Sequence, residues 1–413
     1  MAEVAHPLIV PLPRLIPPAG QLLRWTALRR LRRVWRGPHL ELALPSGAVF
    51  ELGTGSPSAP RAPRVTIHDD RLFLRMLMRG EMGAGESFVA GEWESDDLVA
   101  VMRAFVTGTG ALGFESPLTR LAQLPSLLRH RRAANSKVGS ERNIHAHYDL
   151  GNAFYQLFLD PEAMSYSCGI FATGATTLAA AQHAKHERLC SLLELSPSDH
   201  LLEIGCGWGG MAIHAAKTRG CRVTAITVSR EQHELAVARV ASAGLTERVS
   251  IQYRDYRDLE GMYSKIVSIE MLEAVGFEFM PDYFATCARV LAPGGTMALQ
   301  SITMPDDRFD AYRTRVDWMQ TYIFPGSCIP SLAAIRGALG PRLTITRADD
   351  IGPDYALTLR AWRDAFLANL PAVRSLGFDE PFVRTWLLYL AFSEAAFSER
   401  TLGDHQLVLT SSR

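Results

Sequence analysis

The chain has 413 residues, 47% of them hydrophobic, with 43 lysines and arginines balancing 43 aspartates and glutamates. That length and apolar content suit two packed domains, and the zero net charge argues against a dedicated nucleic-acid binder. No apolar run approaches the ~18–20 residues of a spanning helix, so a membrane substrate would have to be reached from the surface.

The stretch up to Pro18 is interrupted by prolines and lacks the leading charge and clean apolar run of a signal peptide. Residues 24–36 set Leu28, Leu31 and Trp35 on one helical face, with arginines over much of the rest. A packed helix with a solvated basic face and a helix lying on an anionic membrane both fit this pattern. His39 to Gly53 reads as two strands around a turn at Pro45-Ser46-Gly47, and residues 57–63 as a loop. Residues 71–107 read as helical, broken by a glycine-rich turn from Gly80 to Gly85. The basic stretch from Arg129 to Arg142 reads as a linker, giving an N-terminal α+β domain over 1–125, a linker over 126–142 and a catalytic domain over 143–413.

From residue 200 strands alternate with helices. Strands are expected at 200–204, 221–226, 248–253, 265–269 and 296–301, with helices at 229–242 and 281–291 and a late strand at 405–411 closing the sheet. This alternation implies an α/β fold of the Rossmann-like class, a mainly parallel sheet covered on both faces.

The first strand runs into Glu203-Ile204-Gly205-Cys206-Gly207-Trp208-Gly209-Gly210. Its glycines alternate and an acid precedes them by two, whereas a dehydrogenase would show GxGxxG and a P-loop a following lysine. Glycines admit the backbone close to a ligand, and the acid can pair with an ammonium. The loop therefore points to S-adenosylmethionine held without a phosphate cradle. The second strand ends at Thr227 with no ribose-binding carboxylate, so Thr227 and Gln232 are the candidate polar contacts; Ser229 caps the next helix in the plainer reading. Tyr256 and Arg257, after the third strand, fall where this fold binds adenine.

His147 to Asn152, Phe154-Tyr155, Tyr166-Ser167-Cys168, Asp255 to Asp258, Tyr322 to Gly326 and Gly85 to Trp93 extend the pattern over most of the chain. Together they resemble the cyclopropane-fatty-acyl-phospholipid synthases and the mycolic acid cyclopropane synthases. The resemblance implies methylene transfer to the cis double bond of an unsaturated phospholipid acyl chain, through a carbocation deprotonated by a bound bicarbonate. It assigns Tyr166 and Ser167 to the cofactor, beside Glu203, Gly205, Cys206, Gly207, Gly209, Thr227, Gln232, Tyr256 and Arg257. It assigns Cys168, Glu273, Gln300, Ile302 and Tyr355 to the bicarbonate and the reacting carbon. No metal is implied. Cys168 reads as a pocket residue, since the reaction needs no covalent enzyme intermediate.

Two positions depart from the family. Ala274 follows Glu273 where a histidine is common, and Gln300 stands where the synthases have a histidine that helps hold bicarbonate. Gln300 opens a second reading, in which a hydride shift and proton loss give a methylene branch and later reduction a methyl branch. A third reading is a lipid-binding protein without catalysis, opposed by Glu273, Tyr355 and the intact glycine loop. Six scattered cysteines with no CxxC pair suit a reduced, cytoplasmic protein working on the inner membrane face, with a homodimer as one possible assembly.

Overall fold

The computed structural model describes residues 17–53, 62–108, 137, 139, 150–172 and 174–411. Most of the expected linker and the 57–63 loop therefore lie outside the described residues. The N-terminal domain opens with α1 (Pro17–Val34) and a four-stranded sheet of β1 (Leu40–Ala43), β2 (Val49–Leu52), β3 (Arg64–Ile67) and β4 (Trp93–Glu94), in the order β2-β1-β3-β4. Helices α2 (Arg71–Arg79), α3 (Glu81–Val89) and α4 (Leu98–Gly108) complete it.

Two expectations are corrected here. The glycine-rich segment is not a turn: only Gly80 breaks the chain, and Gly83 and Gly85 lie inside α3. They serve close packing, since a Cβ on Gly83 would fall 2.2 Å from the Arg75 carbonyl oxygen and one on Gly85 2.7 Å from the Trp318 ring. The apolar stripe of α1 is core rather than a membrane face, with Leu28, Leu31 and Trp35 buried against the sheet. Arg24 is tied to Asp70. What α1 turns outward is Leu22 and Trp25, 71% and 54% exposed, together with Arg29, Arg32 and Arg33.

The catalytic domain begins with α5 (Asn152–Tyr155) and α6 (Leu178–Leu192), the latter capped by Thr177. β5 (His200–Ile204), α7 (Gly210–Arg219), β6 (Arg222–Thr227), α8 (Arg230–Ser242), β7 (Val249–Tyr253), β8 (Tyr263–Ile269), α9 (Met280–Val290) and β9 (Leu291–Thr303) follow. Short helices α10 (Asp306–Tyr312), α11 (Trp318–Tyr322) and α12 (Leu332–Ala338) lead to β10 (Leu343–Asp350). The chain ends with α13 (Gly352–Ala368), α14 (Leu370–Ser375), α15 (Glu380–Ser398) and β11 (Gly403–Ser411).

The sheet order is β10-β11-β9-β8-β5-β6-β7. Five neighbouring strands are parallel, and β11 runs antiparallel to both β9 and β10. The late strand thus lies inside the sheet, and β10, a strand not expected from sequence, forms the edge. α15 belongs to both domains, because its Leu388, Ala391 and Ala395 join the N-terminal core.

If Leu28 is core, Leu28→Ala should cost about 2–5 kcal/mol in urea unfolding, the usual loss for a buried leucine. Trp25→Ala, on the exposed face of the same helix, should stay within about 0.5 kcal/mol. Equal effects would refute this orientation of α1.

Candidate active site

The glycine loop sits where strand order turns back beside β5, at the carboxyl ends of the parallel strands, the usual ligand crevice of such sheets. Gly205 and Gly207 adopt φ of +83° and +52°, left-handed values that favour glycine. A Cβ on Gly207 would meet no protein atom within 4 Å, so it would project into the cavity this loop lines. The cavity is lined by Tyr166, Ser167, Glu203, Gly205, Cys206, Gly207, Thr227, Gln232 and Tyr256, nine of the eleven residues expected at the cofactor. Gly209 and Arg257 do not line it. Gly209 starts α7 with φ of +81°, while Arg257 pairs with Asp255 and lies over the Tyr256 ring, shaping the wall from behind.

Glu203 suits a cationic ligand. It is buried, and its Oε2 has no hydrogen-bond partner. Burial raises it to about 8, against the pull of the Ala212 N–H and of Lys185. An ammonium group entering the cavity would satisfy that oxygen and restore the charged form. The Thr227 hydroxyl donates to Gln232 Oε1 at 2.9 Å, fixing the amide at the end of β6. Lys185, fully buried, donates to the hydroxyl oxygens of Ser165 and Ser167 at 2.6 Å each, and Gln182 donates to the Ser167 carbonyl at 2.7 Å. The Tyr166–Ser167 segment is thereby fixed as one wall of the cavity.

A second constellation adjoins the first and includes all five residues expected at the reacting carbon. Its centre is Glu270, which follows β8 and lines the cofactor cavity. Glu270 Oε1 accepts from the Cys168 N–H at 2.8 Å and from Gln300 Nε2 at 2.8 Å, and Oε2 accepts from the Tyr355 hydroxyl at 2.6 Å. Glu273 Oε1 accepts from the Ile302 N–H at 2.5 Å and the Ser301 hydroxyl at 3.0 Å. The expected site is therefore assembled around a residue the sequence reading passed over.

Each donor that the resemblance assigns to a bicarbonate already has a protein partner: Cys168 N–H, Gln300 and Tyr355 on Glu270, and Ile302 N–H on Glu273. In this arrangement the donors are taken up by the chain's own carboxylates, while Glu273 Oε2 is left without a hydrogen-bond partner. Cys168 is completely buried, and its thiol is pushed well above its ordinary value, by burial first and then by Asp404 and Glu270, which suits a pocket residue rather than a nucleophile.

Sequence reasoning also missed Asp404 and Gln406. The β11–β9 register pairs Gln406 with Gln300 and Asp404 with Ile302. Gln300 Nε2 donates to Asp404 Oδ2 at 3.0 Å, and Gln406 Nε2 donates to Gln300 Oε1 at 3.0 Å. Gln406 Oε1 in turn accepts from Arg188 at 2.8 Å, so the amides point one way, from a guanidinium toward Glu270. Asp404 is pushed well above the carboxylate range, by burial first and then by the charges of Glu270 and Glu273. Glu270 carried one signal of its own, an acid closing the strand pattern Ile266-Val267-Ser268-Ile269. Its φ of +48° costs a non-glycine residue roughly 1 kcal/mol, as is common where a side chain is held for function.

Residues 135–407 match the family described as mycolic acid cyclopropane synthetase. The chain is 43% identical over 394 residues to the tuberculostearic acid methyltransferase UfaA1 of Mycobacterium tuberculosis, covering 93% of this chain and 90% of that protein. It is 36% identical over 359 residues to the cyclopropane-fatty-acyl-phospholipid synthase of Escherichia coli K12, covering 86% and 88%. The structure of mycolic acid cyclopropane synthase CmaA1 complexed with SAH and CTAB superposes with a TM-score of 0.60 at 29% identity, over 65% of this chain and 98% of that one. The chain belongs to the mycolic acid cyclopropane synthetase family. It is an S-adenosylmethionine-dependent methyltransferase that acts on lipid acyl chains.

Burial raises Glu273 to about 8 from the 4.5 of a solvated glutamate. Its stabilising contribution is complete below about pH 4.5 and is lost as pH rises through about 8. Glu273→Gln, neutral at every pH, should flatten the decline in unfolding free energy between about pH 5 and 8, measured by urea denaturation. An unchanged slope would mean that Glu273 is ionised in the folded protein.

Proposed function

We propose that this enzyme methylates the cis double bond of an unsaturated acyl chain carried by a membrane phospholipid, and that its product is a methylene branch. When bound, S-adenosylmethionine supplies an electrophilic methyl group. The alkene is a weak, neutral nucleophile, and its attack leaves a carbocation on the neighbouring carbon. Such a cation survives only in a dry site, beside negative or π-rich groups.

The observation that carries this reading is the meeting of a carboxylate and aromatic rings at one wall of the cofactor cavity. Tyr166, which lines the cavity, packs 5.0 Å from Trp362 and donates its hydroxyl to that of Tyr389. Tyr355 stacks on Phe397 at 4.4 Å and brings its hydroxyl to Glu270. Methylation of an amine or hydroxyl needs no such shelter.

After methyl transfer, a hydride shift to the cationic carbon moves the charge to the methyl-bearing carbon. Proton loss from the added methyl then gives C=CH2; without the shift, the same loss closes a three-membered ring. Gln300 and the likeness to a relative named as a methyltransferase favour the branch. The 36% identity to a cyclopropane-fatty-acyl-phospholipid synthase favours ring closure as the second reading, and its name supports the phospholipid as acceptor.

Access to lipid is supported by the outward face of α1, where exposed Leu22 and Trp25 lie beside Arg29, Arg32 and Arg33. Apolar tips flanked by arginines suit an anionic bilayer surface. A position on the inner membrane face follows from the same reading.

Proton NMR of fatty acid methyl esters, from cells making the protein, separates the products. Olefinic =CH2 signals are expected; upfield cyclopropane signals in their place would select ring closure, and unmodified chains would reject both. Replacing Arg29, Arg32 and Arg33 together by glutamine should weaken binding to anionic vesicles at low salt by roughly a hundredfold, at about 1 kcal/mol per charge. Unchanged vesicle affinity would exclude this face as the contact.

A further inference from the structure

Glu270 has the placement of a reactant. It lines the cofactor cavity and holds a backbone conformation that glycine would adopt freely. Its two oxygens receive one backbone N–H, one amide N–H and one hydroxyl, a donor set complementary to an ionised carboxylate. A carboxylate also reproduces two of the three oxygens of a bicarbonate. The two other acids of the cluster are held back: burial raises Glu273 to about 8 and pushes Asp404 well above the carboxylate range. Glu273 Oε1 is moreover held by Ile302 and Ser301, while its Oε2 has no hydrogen-bond partner.

We propose that Glu270 is the catalytic base of this enzyme, a carboxylate built into the chain at the place where the resemblance puts a dissociable bicarbonate. The proposal rests on the alkene-methylating function inferred above. The alkene π pair forms the bond to the methyl carbon, the sulfur–methyl bond breaks, and its electron pair stays on sulfur. For the branch, a hydride first shifts from the methyl-bearing carbon to the cationic carbon. A C–H bond of the added methyl then breaks: the proton forms an O–H bond on Glu270, and the C–H pair becomes the second bond of C=CH2 or, without the shift, the closing bond of a ring. Glu270 returns the proton to solvent between turnovers. Gln300 is a positioning residue, its donor edge turned to Glu270 by Gln406 and Arg188.

The test uses the full-length enzyme, unsaturated phosphatidylglycerol vesicles and buffer stripped of carbon dioxide. The wild type should turn over equally with and without added bicarbonate. Glu270→Gln should lose at least about 100-fold in turnover, the usual contribution of a general base, while its S-adenosylmethionine affinity by calorimetry stays within about threefold. Glu270→Gly, which opens the anion site, should regain turnover on addition of bicarbonate or formate. A wild type that needs bicarbonate would overturn the assignment and leave the function standing. So would a Glu270→Gln enzyme with more than a tenth of wild-type turnover, or a Glu270→Gly enzyme that binds cofactor but responds to neither anion. A wild type that transfers no methyl to unsaturated phospholipid would instead remove the function, and this assignment with it.

Discussion

Glu270, Glu273 and Asp404 share one buried corner of the central sheet, where like charges cannot all persist in a medium that screens them poorly. Removing one carboxylate from water is costly, and three together would oppose folding outright. The surrounding structure answers this constraint. Two acids are raised by burial first and then by the charge of Glu270, while donors from the Tyr166–Cys168 segment, β9 and α13 gather on Glu270 itself. Lys185, itself lowered by burial, lies near the same corner, and its attraction partly offsets the rise in Asp404. The topology serves the same end. Because β11 enters antiparallel beside β9, Asp404 and Gln406 arrive next to Ile302 and Gln300. A purely parallel sheet ending at β9 would have no such strand.

The two domains are joined by the motif that sequence reading placed in the N-terminal one. Arg384 of α15 donates to the Phe88 and Trp93 carbonyls at 2.5 and 2.7 Å, and the Tyr322 hydroxyl donates to Glu86 at 2.6 Å. Gly85 leaves room for Trp318. α15 has two packing faces: Leu388 and Ala391 enter the N-terminal core, while Trp386 and Tyr389 enter the aromatic cluster behind Tyr166. Any shift of the N-terminal domain therefore bears on a helix that also packs the wall of the reaction cavity. That arrangement suits an enzyme whose N-terminal helix turns a basic face with a tryptophan to solvent and whose chemistry must stay dry.

Strands of buried Val, Ile and Leu ending at glycine loops are local patterns, and the five parallel strands were legible for that reason. β10 was not, because its sequence LTITRADD is mostly polar and it pairs only as the sheet edge. Gly83 and Gly85 looked like turn residues, since nothing local distinguishes a glycine needed for chain reversal from one needed for close approach. Of the site, the cofactor loop and the five residues around the reacting carbon were named in advance, but what binds them together was not. Glu270 lies 134 positions before Asp404 and 85 before Tyr355, and only the register of β9 with β11 and the packing of α13 bring them together.

Gln300 then has a physical reason to be an amide. On the proposed reaction the corner faces a carbocation, and the proposed base Glu270 is the carboxylate that faces it. A histidine in the same place could take up a proton beside three acids, and an imidazolium there would cancel that charge and repel the cation. An amide donates to Glu270 and Asp404 without titrating, and its direction is set by Gln406, which is set by Arg188. Where the anion is free to dissociate, a titratable partner can help to capture it. Where the carboxylate is part of the chain, nothing has to be captured, and a neutral donor of fixed direction is the better neighbour.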